Sequence, residues 1–133
     1  MSKTRHVNKE LYRNYLQKAR ENLETAKESL QAGRWNAAVI NAVHSGISAT
    51  DAITVFMVGV RHAGDRHEDA LALLQTLNLP KDTLRAKSRQ LSRLLSIKNA
   101  SEYEERLIRE KEAIEAVKDA ERYFEYVEAI LHT

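Results

Sequence analysis

The sequence contains no cysteine, which removes disulfide scaffolds, thiolate metal sites and cysteine nucleophiles from consideration. Glycine occurs four times and proline once, at Pro80. So few turn formers disfavour sandwiches and barrels, whose many short strands each need a turn. No GxxxxGK[ST] loop, HExxH, GxSxG or EF-hand loop is present, so the usual phosphate-loop, zinc, hydrolase and calcium signatures are missing. No pair of Glu-x-x-His elements occurs, which argues against a di-iron carboxylate bundle. The expectation is therefore no metal and no cofactor. The opening Met1-Ser2-Lys3-Thr4-Arg5-His6 is charged, with no apolar run behind it. Without a visible secretory signal, a cytoplasmic protein is expected.

What is there suits one folded domain spanning residues 1–133. Hydrophobic residues make up 43% and charged ones 30%, a balance that builds a core instead of a disordered chain. The net charge of +2 hides a segregation. Residues 1–34 carry eight Lys/Arg against four acids, residues 81–99 six against one, and residues 102–131 ten acids against five bases. Basic and acidic helices lying side by side explain this, as does a basic face for phosphates.

Periodicity gives the architecture. Tyr12, Leu16, Ala19, Leu23, Ala26 and Leu30 step by four and three, the stripe of an amphipathic helix over about 9–32. Asn8 is placed to cap its start and Gly33 to end it. Trp35, Val39, Ala42, Gly46, Ala49, Ile53, Phe56 and Val60 repeat the pattern, and the other faces are also apolar or small. Such a helix is surrounded by protein or by lipid. Asn41, His44, Ser45, Asp51 and Thr54 interrupt it and would be costly in a bilayer, so it is expected at the centre of the protein, with no membrane involved. Its apolar surface also exceeds what one small bundle easily covers, which points to a dimer. Asp65 and Glu68 read as a capping box, with His67 at the second helical position, ahead of a short helix through Leu71, Leu74 and Leu77. Asn78-Leu79-Pro80 breaks it. A fourth helix starts near Lys81 or Asp82, buries Leu84, Leu91 and Leu95, and frays near Asn99–Ser101. A last one follows Ala113, Val117, Ala120, Phe124, Val127 and Leu131. Residues 102–110 could extend either neighbour. The pattern predicts an all-α, antiparallel four- to five-helix up-and-down bundle.

Several residue groups could carry chemistry. His44, Ser48 and Asp51 share one stripe of the central helix, as core polars, an interface or a ligand groove. His44 and Asp51 lie about 10 Å apart by helical rise and cannot pair with each other. In Gly59-Val60-Arg61-His62-Ala63-Gly64-Asp65-Arg66-His67 two glycines bracket bases ahead of a helix start, where free amides attract anions. The helix start also favours a neutral His67. Arg85, Arg89 and Arg93 make a row of about 12 Å that could follow a nucleic-acid backbone or pair with the acidic last helix. Lys98 sits at the margin of an apolar face, where a lysine snorkels or meets a specific acceptor, and Tyr103 follows five residues later.

The order of these pieces resembles a known family. Leu30-Gln31-Ala32-Gly33-Arg34-Trp35-Asn36-Ala37-Ala38-Val39, then Ala42-Val43-His44 and Ser48-Ala49-Thr50-Asp51-Ala52-Ile53, are followed by Asp65-Arg66-His67, by Leu94-Leu95-Ser96-Ile97-Lys98 with Tyr103, and by Ala120-Glu121-Arg122-Tyr123-Phe124. Over about residues 8–131 the chain resembles a HEPN domain, the small helical domain of higher eukaryotes and prokaryotes named for nucleotide binding. The resemblance implies a homodimer and, in many members, a minimal nucleotidyltransferase partner in a toxin–antitoxin pair. Catalytic members are metal-independent ribonucleases with an Arg-x(4–6)-His motif late in the bundle. Here Arg93 through Tyr103 contains no histidine, and Lys98 with Tyr103 resembles the basic-residue-and-tyrosine pattern of the non-nucleolytic branch.

The reading that follows is a protein that binds a nucleotide or RNA, or a nucleotidyltransferase partner. Arg61, His67, Lys98 and Tyr103 are its expected ligand-binding residues. One alternative is a ribonuclease using Arg61 and His67, which have Arg-x(5)-His spacing but stand in the earlier loop. The other is a structural dimerisation bundle without a ligand.

Overall fold

A computed structural model describes residues 3–63 and 66–132. Strand β1 (Thr4–His6) leads to Asn8, whose Oδ1 accepts a hydrogen bond from the Glu10 amide at 3.1 Å and opens a 3-10 turn over Lys9–Leu11. The turn runs into α1 (Tyr12–Gln31), which buries Leu16, Ala19, Leu23 and Ala26 along the expected stripe. Gly33 has φ +75° and reverses the chain into α2 (Trp35–Val58).

Helix α2 is enclosed on nearly every side, because α1, α5 (Glu110–Leu131), α4 (Lys81–Glu102) and α3 (Glu68–Gln75) all pack on it. Most of the surface of α2 is thereby covered within the one chain, with Val58 at its end 51% exposed. The helix stops before Val60, where the sequence pattern had carried it, because Gly59 turns left-handed at φ +70° and its amide closes onto Val55. Val60 instead begins β2 (Val60–His62), paired antiparallel with β1 in the register Thr4–His62, Arg5–Arg61, His6–Val60. Nothing in the period announced this ribbon. Asp65, the expected cap of α3, lies outside the described residues. Glu68 is the first residue of α3 and not its third, with His67 in the capping position. Helix α4 continues through Asn99–Ser101 to Glu102. Residues 103–109 join neither helix. They form a loop fixed by Asn36 Oδ1, which accepts from the Ile108 amide at 3.0 Å, and by Glu112, which takes both Arg106 nitrogens at 2.9 Å and the Arg109 amide at 3.0 Å. Arg106 first, and then the Arg109 amide, push the Glu112 carboxyl down to about 2.

Two buried hydroxyl residues of α2 have partners in neighbouring helices. Ser45 donates to the Ala19 carbonyl at 2.8 Å and so ties α2 to α1. Thr50 donates to the Gly46 carbonyl at 2.8 Å, leaving its oxygen to accept from Tyr123 at 2.6 Å. Burial raises the fully enclosed Tyr123 phenol well above its ordinary pKa and keeps it a neutral donor. The segregated charges meet across helices. Arg20 binds Glu128 at 2.6 Å, Lys27 binds Glu121, and Arg93 forks onto Asp119 at 2.8 and 2.9 Å. Exposed pairs of this kind stabilise by less than about 1 kcal/mol each, so they set register more than stability.

At Gly46 helix α2 lies close against α4. A Cβ there would stand 2.8 Å from Leu94 Cδ1 and 3.6 Å from Leu91 Cδ1, and both leucines are fully buried. Overpacking such a contact costs about 1–3 kcal/mol. Gly46→Val is therefore predicted to lower unfolding free energy by that amount in urea titration, and unchanged stability would show that the helices are free to separate.

Candidate functional site

The site begins with Asp51, which is 3% exposed in the middle of α2. A bare carboxylate there would be very costly, and β2 supplies the partners. Arg61 Nη2 reaches Asp51 Oδ2 at 3.2 Å, and His62 Nδ1 donates to Oδ1 at 3.1 Å. The Arg61 guanidinium also lies over the Tyr15 ring, 5.6 Å from its centroid. His62, itself 3% exposed, meets the edge of His67 at a ring separation of 5.7 Å. A chain of contacts thus runs from the centre of α2 to the start of α3.

His67 lines a pocket of about 200 Å³ with Arg66 and Glu68 on one wall and Leu95, Lys98 and Asn99 of α4 on the other. Its Nδ1 is buried and has no hydrogen-bond partner among the described residues. Burial chiefly, then the charge of Lys98 and the neighbouring His62 and His44, lowers its pKa from the ordinary 6.5, against a weaker opposing pull from Glu102. Packing and neighbouring bases lower the His67 pKa, where the sequence had suggested the helix start. The free amides expected at that start are partly occupied, since those of Asp69 and Ala70 bond to the carbonyls of Arg66 and His67 at 3.0 Å each. Attraction for an anion therefore falls to side chains.

Lys98 is the centre of the opposite wall. Its Nζ lies 3.2 Å from Glu102, 3.4 Å from the Tyr103 hydroxyl and 4.9 Å from the Tyr103 ring centroid. Burial opposes its charge, but the bonds to Glu102 and Tyr103 outweigh it and hold the lysine above its ordinary pKa. Burial likewise opposes the charge of Glu102, yet Lys98, then His44 and Tyr103, hold that carboxyl low. His44 Nε2 reaches Glu102 at 3.5 Å.

Of the expected ligand-binding residues, His67 and Lys98 share the pocket, Tyr103 stands beside Lys98, and Arg61 is turned away onto Asp51 and Tyr15. The stripe of His44, Ser48 and Asp51 divides: His44 faces Glu102, Asp51 faces β2, and Ser48 is half-buried between them. Sequence reasoning named Arg66 and His62 only as members of the basic loop and missed Glu102. The i, i+4 spacing of Lys98 and Glu102 was a usable signal, whereas the reach of His62 back to Asp51 needs the fold. Among the described residues no three His, Asp or Glu side chains are placed to hold a metal, and no helix is long and apolar enough to cross a membrane.

The sequence model of the HEPN domain matches residues 12–130. The chain belongs to the HEPN domain family. A crystal structure described as TT1696 from Thermus thermophilus is similar to this HEPN domain with a TM-score of 0.71 over 90% of this chain and 97% of that one. Sequence identity is 23%, a likeness that speaks for the fold. No curated protein matches the sequence.

This geometry makes two predictions. Asp51→Ala leaves Arg61 and His62 without their acceptor and should cost about 3 kcal/mol in chemical denaturation; a loss under about 1 kcal/mol would mean the contact is incidental. His67, with its folded pKa below the unfolded 6.5, binds its proton more weakly in the native state. Stability should therefore fall as pH drops through and below 6.5, with the unfolded chain taking up the proton first. His67→Asn should flatten that part of the stability–pH curve, and an unchanged slope would remove His67 as its source.

Proposed function

We propose that this HEPN domain binds a phosphate group of a nucleotide or RNA, without cleaving it, in the pocket between the start of α3 and the end of α4. The observation that carries the reading is the convergence of His67 and Lys98, thirty-one positions apart in sequence, on one pocket with Arg66. Lysine and arginine supply charge, and the His67 ring on the pocket wall supplies a polar contact. Glu68 on the rim and Glu102 behind Lys98 temper the field, so the site suits an anion that brings several acceptor oxygens.

The ribonuclease alternative has less support. Arg61, its required phosphate clamp, is engaged by Asp51 and lies outside the lining of the His67 pocket. Dimerisation and a nucleotidyltransferase partner rest on the family resemblance.

Each charge-assisted contact is worth about 1.5–3 kcal/mol, or roughly ten- to a hundredfold in affinity. In calorimetric titration with adenosine 5′-monophosphate and with a short single-stranded RNA, His67→Ala and Lys98→Ala should each weaken binding by such a factor. Arg93→Ala, which loses only its fork onto Asp119, should not. Folded variants that bind like the parent would refute the pocket, and cleavage that survives chelator and vanishes in His67→Ala would reinstate the ribonuclease.

A further inference from the structure

A second opening lies between the same two helices. It has a volume of about 500 Å³, a floor of Leu71 and Leu84, and a rim of Lys81, Arg85 and Arg89 around Ser88. The two openings lie on one seam. On α4, Lys81, Arg85, Ser88, Ser92, Leu95 and Asn99 step by four and three along a single face. On the other side, His67, Leu71 and Gln75 step by four. From Lys81 to Lys98 is about 25 Å of helix.

The cations of this second opening are little engaged by the protein's own acids, unlike those that pair within the bundle. Arg20, Lys27, Arg93 and Lys98 all have carboxylate partners within the bundle. Lys81 and Arg89 have no ion pair among the described residues, and Arg85 has only Asp82 at 3.6 Å, a carboxylate 99% exposed to water, where pairing is worth little. Ser88 is a separate observation. It is 7% exposed, and its Oγ has no hydrogen-bond partner among the described residues. A buried hydroxyl left unpaired costs free energy in the unliganded protein, and a bound acceptor would relieve it.

We propose that Lys81, Arg85, Ser88 and Arg89 form a second anion subsite, continuous with the His67–Lys98 pocket, so that the α3–α4 seam takes the phosphate backbone of a single nucleic-acid strand. The proposal rests on the pocket reading given above and extends it from one phosphate to several. Steps of four residues place successive cations about 6 Å apart along α4, a repeat that suits a repeating anion. Tyr103, 71% exposed beside Lys98, offers a ring face to one base at the far end of the seam. An acidic helix of a protein partner fits less well, because Leu71 and Leu84 give two apolar contacts where a docked helix presents a stripe at i, i+3, i+4 and i+7.

The test uses the full chain, a fluorescein-labelled twelve-nucleotide uridine strand, and anisotropy titrations over a salt series. Each phosphate neutralised on a single strand adds about 0.7 to the slope of log affinity against log salt. The parent protein should show a slope of about −2 or steeper, and the double variant Arg85→Gln/Arg89→Gln should be shallower by about 1.4 and at least tenfold weaker. Ser88→Ala should raise the melting temperature, by removing the unpaired hydroxyl, and also weaken the strand; a hydroxyl that is merely unsatisfied would raise the melting temperature alone. If Lys98→Ala weakens the strand and the double variant does not, the second subsite is wrong and the pocket stands. If the double variant weakens it and Lys98→Ala does not, the continuous track is wrong and the pocket fails with it. A strand that does not bind, or that poly-L-glutamate of matched charge displaces equally well, overturns the proposal, in the latter case in favour of a protein partner.

Discussion

A carboxylate enclosed at the centre of the protein has to be answered by something, and the answer to Asp51 organises the end of the bundle where the pocket opens. Arg61 and His62 are drawn onto it, and with them the short strand that carries both. A two-stranded ribbon has marginal stability by itself. This one is fixed at Gly59 by the left-handed turn, along β1 by its ladder, and from beneath by Asp51. The chain then leaves His62 towards α3 with His67 already seated against the His62 ring. The buried acid thereby reaches the pocket without lining it.

The central helix makes that arrangement possible. Its small residues let α1 and α4 come close, as Ser45 against the Ala19 carbonyl and Gly46 beneath Leu94 show. Its polar residues are answered one by one, Thr50 by Tyr123 and Asp51 by β2. Charge segregation along the chain is resolved mainly between helices, with α1 and the middle of α4 neutralised by α5. Cations at the two ends of α4 are treated differently. Lys98 is held by a neighbouring acid in the same helix, and Lys81 and Arg89 are left to the solvent.

The bundle was legible in the sequence because amphipathic periodicity depends on spacing alone, and spacing is local. Leu16 to Ala26 and Ala113 to Leu131 are buried as their steps of four and three require. Boundaries that depend on one residue's backbone were less legible: Gly59 could have continued as a bend, and its left-handed turn is what converts Val60 to strand. For the pocket, the sequence singled out His67 and Lys98 by their positions on helical faces. It grouped Arg61 with them because a basic loop gives no sign of where each side chain points. Only the depth of Asp51 decides that Arg61 turns inward, and that depth is a property of the packed bundle. Arg66 was not singled out from its loop for the same reason, since its place on the pocket wall comes from the turn it sits in.

Whether the space between His67 and Lys98 receives a phosphate group is the central question for this protein. The most direct measurement is a nuclear magnetic resonance titration that follows the imidazole signals of all five histidines while adenosine 5′-monophosphate is added to the intact protein. The predicted result is that the His67 ring shifts and its apparent pKa rises as the phosphate arrives, with His62 following weakly through ring contact and the exposed His6 unmoved. If His67 stays where it was while another histidine moves, the ligand binds elsewhere and the claim is contradicted.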